Sequence, residues 1–189
     1  MEKSVLRKIY LEKRKNLPDE VWTQRCTQIK DQLLAYFDFN KKNTVHCFLP
    51  IVGNKEVDTW PIIKALQQRE ISVVVSKVNW QEVSMEHYLL TPATVLQDNQ
   101  WGIPEPVTGE VIPTTQINMV LVPLLVFDRL GHRVGYGKGF YDRFLAQCLS
   151  HTLKVGLSLE PPVAKISDIH PYDMRLDYGV TPEKVWKFL

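Results

Sequence analysis

Residues 127–143 read Phe-Asp-Arg-Leu-Gly-His-Arg-Val-Gly-Tyr-Gly-Lys-Gly-Phe-Tyr-Asp-Arg and gather groups suited to holding phosphate. Gly135, Gly137 and Gly139 alternate with larger residues; glycine takes positive φ readily and lets a main chain approach a ligand closely. Successive N–H groups running into a helix N-terminus bind phosphate oxygens. Lys138 and Arg133 add positive charge, and Asp142 can hold a magnesium ion against the same phosphates. The stretch follows an apolar run at 119–126 and precedes a helical pattern. That is the carboxyl end of a buried strand, where ligands bind in open α/β sheets.

Two common nucleotide motifs do not fit. A P-loop beginning five residues before Gly137 requires glycine where His132 stands, and Lys138 is followed by Gly139 instead of Ser or Thr. A dinucleotide fingerprint starting at Gly135 requires glycine where Phe140 stands. Taken alone, the residues leave two readings open: an uncommon phosphate loop, or a glycine-rich hairpin that binds nothing.

The elements that must position this loop follow from periodicity. Val5, Leu6, Ile9 and Tyr10 mark a helix over 4–16, interrupted at Leu17-Pro18 because the residue before proline is steered out of the helical region. Trp22, Cys26, Ile29, Leu33 and Phe37 make an apolar stripe on a second helix over 19–37. Strands are expected at 44–49, 71–77, 82–90 and 119–126, with the last ladder stopping at Pro123, which cannot donate. A helix at about 59–69, capped by Thr59 with Pro61 in its first turn, lies between the first two strands. Residues 92–113 read as irregular, 140–149 as a helix and 154–159 as the final strand. Strands alternating with helices point to one α/β domain over 1–189, a three-layer sandwich with a mostly parallel central sheet and helices on both faces.

Composition sets the outer limits. With 44% hydrophobic and 23% charged residues, the chain is expected to be an ordinary soluble domain. A net charge of +2 is too small to indicate nucleic acid as the partner. Cys26, Cys47 and Cys148 form no Cys-x-x-Cys pair, so neither a disulfide framework nor a zinc site is indicated and a reduced, cytoplasmic compartment is expected. No run approaches the ~18 apolar residues of a membrane span, and the charged opening Met1–Ser4 does not suit a signal peptide. Monomer or weak homodimer is the expected state.

Several blocks together resemble the 5-formyltetrahydrofolate cyclo-ligase family. The main one is Val122-Pro123-Leu124-Leu125-Val126-Phe127-Asp128, then Gly131, Arg133 and 135–143. Lys3-x-x-x-Arg7 resembles that family's opening basic pair, Leu49 through Glu56–Thr59 its substrate segment, and 101–106 its Trp-x-Ile-Pro-x-Pro loop. His170–Asp173 and Asp177 resemble its acidic C-terminal segment. The chain departs from the family at Phe140, where a tyrosine is common, and the segment between Leu49 and Glu56 is slightly longer than in some members.

The resemblance implies ATP- and Mg²⁺-dependent closure of 5-formyltetrahydrofolate to 5,10-methenyltetrahydrofolate, with small-molecule partners and neither nucleic acid nor membrane. It implies that Lys3, Arg7, Arg133, Val134, Gly135, Tyr136, Gly137, Lys138, Gly139, Phe140 and Tyr141 bind ATP, with Lys138 and Arg133 stabilising the transferring phosphoryl group. Leu49, Glu56 and Trp101, together with 136–140, would contact the folate, and Asp142 and Asp173 would hold the metal, with Asp177 competing for the second place. Each residue also has a plainer role: Lys3 and Arg7 a solvated helix face, Trp101 a packing anchor, Glu56 a favourable helix-dipole charge, Asp173 a turn cap, Leu49 core. A non-folate enzyme on the same scaffold, or a nucleotide-, folate- or RNA-binding module, are the competing functions. The first does not account for the basic pair or the Trp101 loop, and an RNA binder calls for a larger basic excess.

Overall fold

The computed structural model describes residues 1–188, apart from the side chain of Val52. Helices α1 (Lys3–Lys15) and α2 (Asp19–Tyr36) open the chain, and Pro18 stands at the head of α2, as its missing N–H permits. Strand β1 (Thr44–His46) leads through a 3₁₀ turn at Val52–Asn54 into α3 (Trp60–Gln68), then β2 (Ser72–Asn79) and β3 (Ser84–Leu89). A small hairpin of β4 (Leu96–Asp98) and β5 (Pro104–Pro106) precedes β6 (Met119–Pro123). The β7 (Val126–Phe127) and β8 (Arg133–Val134) hairpin runs into α4 (Phe140–Gln147), and β9 (Leu153–Leu157), β10 (Tyr178–Val180) and β11 (Val185–Lys187) complete the fold.

The main sheet has seven strands in the order β11-β10-β9-β6-β1-β2-β3. Strands β10, β9, β6, β1 and β2 are parallel, while β3 and β11 add antiparallel edges. Alternation along the strands divides the core. Val73 and Val75 of β2 and Met119 and Leu121 of β6 pack with Cys26, Ile29 and Leu33 of α2 and Ile62, Ile63 and Leu66 of α3. Val74, Val120 and Val122 face the other way, onto Phe144 and Leu145 of α4. This is the expected three-layer arrangement. Among the described residues, no helix is long and apolar enough to cross a membrane.

The structure corrects some bounds. The strand expected at 154–159 is not the last, because β10 and β11 follow it. The region 92–113 is not wholly irregular, since β4 pairs with β5 across Leu96–Pro106 and Asp98–Pro104. Strands of three residues containing Pro104 and Pro106 carry no readable period. Strand β6 does end at Pro123, and its continuation turns away as the β7–β8 hairpin. Leu6 of α1 is buried against Val126, Val134 and Ile166, so α1 is fastened to that hairpin and lies over the carboxyl end of the sheet.

Candidate functional site

The loop between β8 and α4 is built as its glycines suggest, with one exception. Gly137 (φ +87°) and Gly139 (φ +76°) are left-handed, and Gly139 forms the N-cap of α4. Gly135 is absent from the positive-φ positions, so its backbone conformation does not require glycine. Arg7 Nε donates to the Gly135 carbonyl at 2.9 Å, and a Cβ at Gly137 would lie 2.9 Å from Arg7 Nη2. The arginine therefore lies against the loop. Lys138 is exposed, on the loop beside the first turn of α4.

The acidic residues lie at the other side of the loop. Arg133 Nη2 donates to Asp142 Oδ1 at 2.7 Å, and its Nη1 donates to the Met174 carbonyl. The Arg133 side chain is 6% exposed, so both ends of its fork are used within the protein. Asp142 Oδ1 also accepts from the Met174 N–H at 3.0 Å, which brings Asp173 into the same neighbourhood. Lys3 Nζ donates to Asp173 Oδ2, and the His170 N–H donates to the same oxygen at 2.7 Å. Burial opposes ionisation of Asp173, but the Lys3 hydrogen bond, the His170 N–H and the charges of Lys3 and Arg133 outweigh it and hold the carboxyl below its ordinary value.

Among the described residues no three acidic, histidine or cysteine side chains converge as a metal cage. A magnesium ion carried on phosphates needs only one or two carboxylates. Asp142 Oδ2 and Asp173 Oδ1 accept no hydrogen bond among the described residues, so this donor pair fits such an ion. Asp177 does not compete: its Oδ2 accepts from the Lys154 N–H at 2.8 Å and pairs with Lys154 Nζ at 2.9 Å, at the opposite end of β9.

Glu56 sits beneath the loop and is only 5% exposed. Its Oε2 accepts from the Ile51 N–H at 2.8 Å and its Oε1 accepts from the Tyr136 hydroxyl at 2.8 Å. Arg14 Nη1 stands 3.8 Å from Oε1, and its Nη2 donates to the Leu124 carbonyl at 2.5 Å. Burial pushes the Glu56 carboxyl up, while the Ile51 N–H, the Tyr136 hydroxyl and the Arg14 charge draw it back down. The Tyr136 hydroxyl is pushed above its ordinary range, first by burial and then by the Glu56 charge, so it remains a donor.

A row of aromatic rings extends outward from the loop. Trp101 is 58% exposed, its ring centroid 5.5 Å from Trp80, and Trp80 meets Phe140 edge-on at 5.1 Å. Three separate elements supply these rings: the β4–β5 turn, the β2–β3 turn and the head of α4. Tyr141 packs inward instead, its ring 6.0 Å from His46. Behind it, His46 Nε2 meets Ser76 Oγ at 2.6 Å, and Ser76 Oγ meets His87 Nδ1 at 3.0 Å. His46 Nδ1 is buried with no partner among the described residues.

The structure thus brings together Lys3, Arg7, Glu56, Arg133, 135–142 and Asp173, and links Trp101 to them through Trp80. Besides the inward-packed Tyr141, two expected contacts are repositioned. Val134 turns its side chain into the cluster with Leu6, Val126 and Ile166, so only its main chain can face a ligand. Leu49 is buried in the core cluster between the sheet and α2 and α3. Arg14 and Trp80 are the residues that sequence reading passed over. Arg14 lies two helical turns beyond Arg7 on the same stripe, and Trp80 falls in the turn between two expected strands; the spacing of each was readable, but not the partners that Arg14 meets.

Comparison with known proteins bears on what this arrangement serves. Residues 1–178 match the model of the 5-formyltetrahydrofolate cyclo-ligase family. The chain is 28% identical over 181 residues to the Escherichia coli (strain K12) 5-formyltetrahydrofolate cyclo-ligase, covering 94% of this chain and 98% of that protein. A probable 5-formyltetrahydrofolate cyclo-ligase of Schizosaccharomyces pombe is 28% identical over 200 residues, covering 98% and 97%. Among solved structures, Aquifex aeolicus 5,10-methenyltetrahydrofolate synthetase is 31% identical, with a TM-score of 0.82 over 100% of this chain and 93% of that one.

Proposed function

The chain belongs to the 5-formyltetrahydrofolate cyclo-ligase family, and on that premise we propose that it closes 5-formyltetrahydrofolate to 5,10-methenyltetrahydrofolate, converting ATP to ADP and phosphate. The observation that carries this reading is the meeting of two unlike surfaces on one loop. One side, with Gly137, Gly139, Lys3, Arg7 and Lys138, suits phosphates. The other, with Glu56, Trp101, Trp80 and Phe140, suits a flat, hydrogen-bonding heterocycle.

The N5-formyl group is amide-like and a poor electrophile. Its oxygen attacks the γ-phosphorus of ATP and ADP departs, leaving a formyl carbon activated as an iminium phosphate. N10 then attacks that carbon, the C–O bond breaks with release of phosphate, and N10 gives up its proton as the amidinium ring forms. No protein nucleophile is needed. The chain's part is positioning and charge stabilisation.

In this reading the N-terminus of α4 and the N–H groups around Gly137 and Gly139 receive phosphate oxygens. Lys138, exposed and on the loop, follows the charge of the moving phosphoryl group. Arg133 acts by holding Asp142 and the Met174 segment in place. Asp142 and Asp173 would hold Mg²⁺, which supplies neutralising charge to the phosphates when bound. Glu56 accepts from the amino and ring N–H groups of the pterin, a carboxylate having lone pairs to spare beyond those used by Ile51 and Tyr136. Trp101, Trp80 and Phe140 offer faces to the fused or benzoyl ring.

The direct test mixes protein, Mg-ATP and 5-formyltetrahydrofolate and follows the ultraviolet absorbance of the methenyl product. Folded protein that gives no product refutes the proposal. Lys138→Met is expected to lower kcat/KM by about 10²–10³-fold, the range for losing one transition-state charge contact. Wild-type turnover in that variant would remove Lys138 from the mechanism.

A further inference from the structure

Helix α1 carries Lys3, Arg7 and Arg14 at i, i+4 and i+11, which at about 100° per residue places all three within about 40° of one stripe. Each ends on a different part of the site. Lys3 pairs with Asp173, Arg7 bonds the Gly135 carbonyl, and Arg14 reaches Glu56, Tyr136 and the Leu124 carbonyl. We propose that Arg14 is a positioning residue for the folate half of the site, holding the Glu56 carboxylate and the Tyr136 hydroxyl in one arrangement relative to the nucleotide loop; this rests on the reading of Glu56 as a folate contact.

The geometry calls for an arginine. Leu124 follows the end of β6, where Pro123 has closed the ladder and left a carbonyl free to take Nη2 at 2.5 Å. The other arm of the same planar fork lies 3.4 Å from the Tyr136 hydroxyl and 3.8 Å from Glu56 Oε1. A lysine could supply the charge but has no second arm for the carbonyl. Arg14 is itself 8% exposed, so its charge has been withdrawn from water to this one place. Ion pairs buried this deeply add little net stability, and their better-attested use is to specify one arrangement.

The consequence for binding follows from the state of Glu56. Besides Arg14 on α1, the titratable groups facing it are Tyr136 from the loop and Tyr141 from α4, and neither is a cation. With Arg14 gone, a carboxylate this buried is driven to take up a proton. A protonated carboxyl presents an O–H where the pterin amino and ring N–H groups require an acceptor. Tyr136 would also lose the Arg14 donor that reaches its hydroxyl at 3.4 Å. Arg7 and Lys3 hold the nucleotide side without Arg14, so the defect should fall on one substrate.

The test measures KM for 5-formyltetrahydrofolate and for ATP separately, and kcat/KM against pH, in the full-length Arg14→Met, Arg14→Lys and Glu56→Gln variants. Arg14→Met is expected to raise the folate KM roughly ten- to a hundredfold while leaving the ATP KM within about threefold. It should also move the acid limb of the folate kcat/KM profile to higher pH. Arg14→Lys keeps that limb in place and raises the folate KM several-fold. Adding Arg14→Met to Glu56→Gln should cost little more than Glu56→Gln alone. Equal rises in both KM values with an unmoved acid limb would make Arg14 a merely structural residue and overturn the inference. If Arg14→Met does not fold, Arg14→Lys decides, and an unchanged folate KM there overturns it. A Glu56→Gln variant with unchanged folate KM defeats the folate-contact reading itself. A raised KM in Glu56→Gln with no change in the Arg14 variants defeats the positioning inference alone.

Discussion

The buried histidine pair behind Tyr141 makes a prediction about acid stability whose size can be worked out. His46 and His87 are ring neighbours at 5.4 Å with the Ser76 hydroxyl between them, and His87 also lies 4.0 Å from the Phe144 ring. Burial pushes His87 from its ordinary 6.5 down to about 4, partly opposed by the Glu86 charge. Burial, then the neighbouring His87, holds His46 well below its ordinary value. The unfolded chain takes up a proton at each ring as pH falls through about 6.5, whereas in the folded chain His87 does not until about 4 and burial makes His46 resist protonation as well. Stability present above pH 6.5 is therefore lost progressively as pH falls from 6.5 towards 4. At pH 5 His87 accounts for about 2 kcal/mol of that loss, and His46 adds to it in the same direction. Urea unfolding of wild type and His87→Gln between pH 8 and pH 5 measures it. Glutamine can hydrogen-bond Ser76 but does not titrate, so the variant should lose about 2 kcal/mol less across that range. Parallel losses in the two proteins, or a His87 ring resonance titrating near its ordinary value, would refute the reasoning.

Two further outcomes separate functional from incidental features. Gly137→Ala should lower the melting temperature by several degrees, since the left-handed conformation costs an alanine about 1–2 kcal/mol. It should also raise the ATP KM by pushing Arg7 aside, while Gly135→Ala, with nothing within 4 Å of the new methyl group, should leave the melting temperature unchanged. Equal melting temperatures for the two variants would refute the backbone argument. Trp80→Ala should raise the folate KM about tenfold and leave the ATP KM alone, because it removes the ring that joins Trp101 to Phe140. An unchanged folate KM would mean the aromatic row is only packing.

Sequence made most of the fold readable where elements are long or strongly periodic. The stripe of Cys26, Ile29 and Leu33 identified α2, and the apolar run ending at Pro123 identified β6 at the centre of the sheet. What escaped was short. Strands β4, β5, β10 and β11 have three residues each, too few for a period of two to show. Their pairing is decided by what lies alongside them in space: β10 joins because Tyr178–Val180 falls in register with Val155–Leu157. The glycine loop was legible as a loop opening a helix, because Gly137 and Gly139 do take the left-handed conformation that glycine permits. That Gly135 is conformationally ordinary was not, because φ depends on how Arg7 and the β7–β8 hairpin hold the loop.

The residues of α1 show where sequence reading reaches its physical limit. Lys3, Arg7 and Arg14 have the spacing of a solvated cationic face, and nothing in a local window distinguishes that from a face turned onto acceptors. The difference is made by distant parts of the chain: Asp173 near one end, the carbonyls of Leu124 and Gly135 in the middle, and Glu56 after β1. Leu6, on the same helix, is fully buried, so the apolar contact that docks α1 also sets the height at which its cations meet these acceptors. A rigid helix of 13 residues spans about 20 Å, long enough to reach both the glycine loop at Gly135 and the buried Glu56 carboxylate. Movement of either half relative to the other must then strain three charge-assisted contacts at once. The first helix is therefore built into the candidate site, by tertiary contacts that no local pattern encodes.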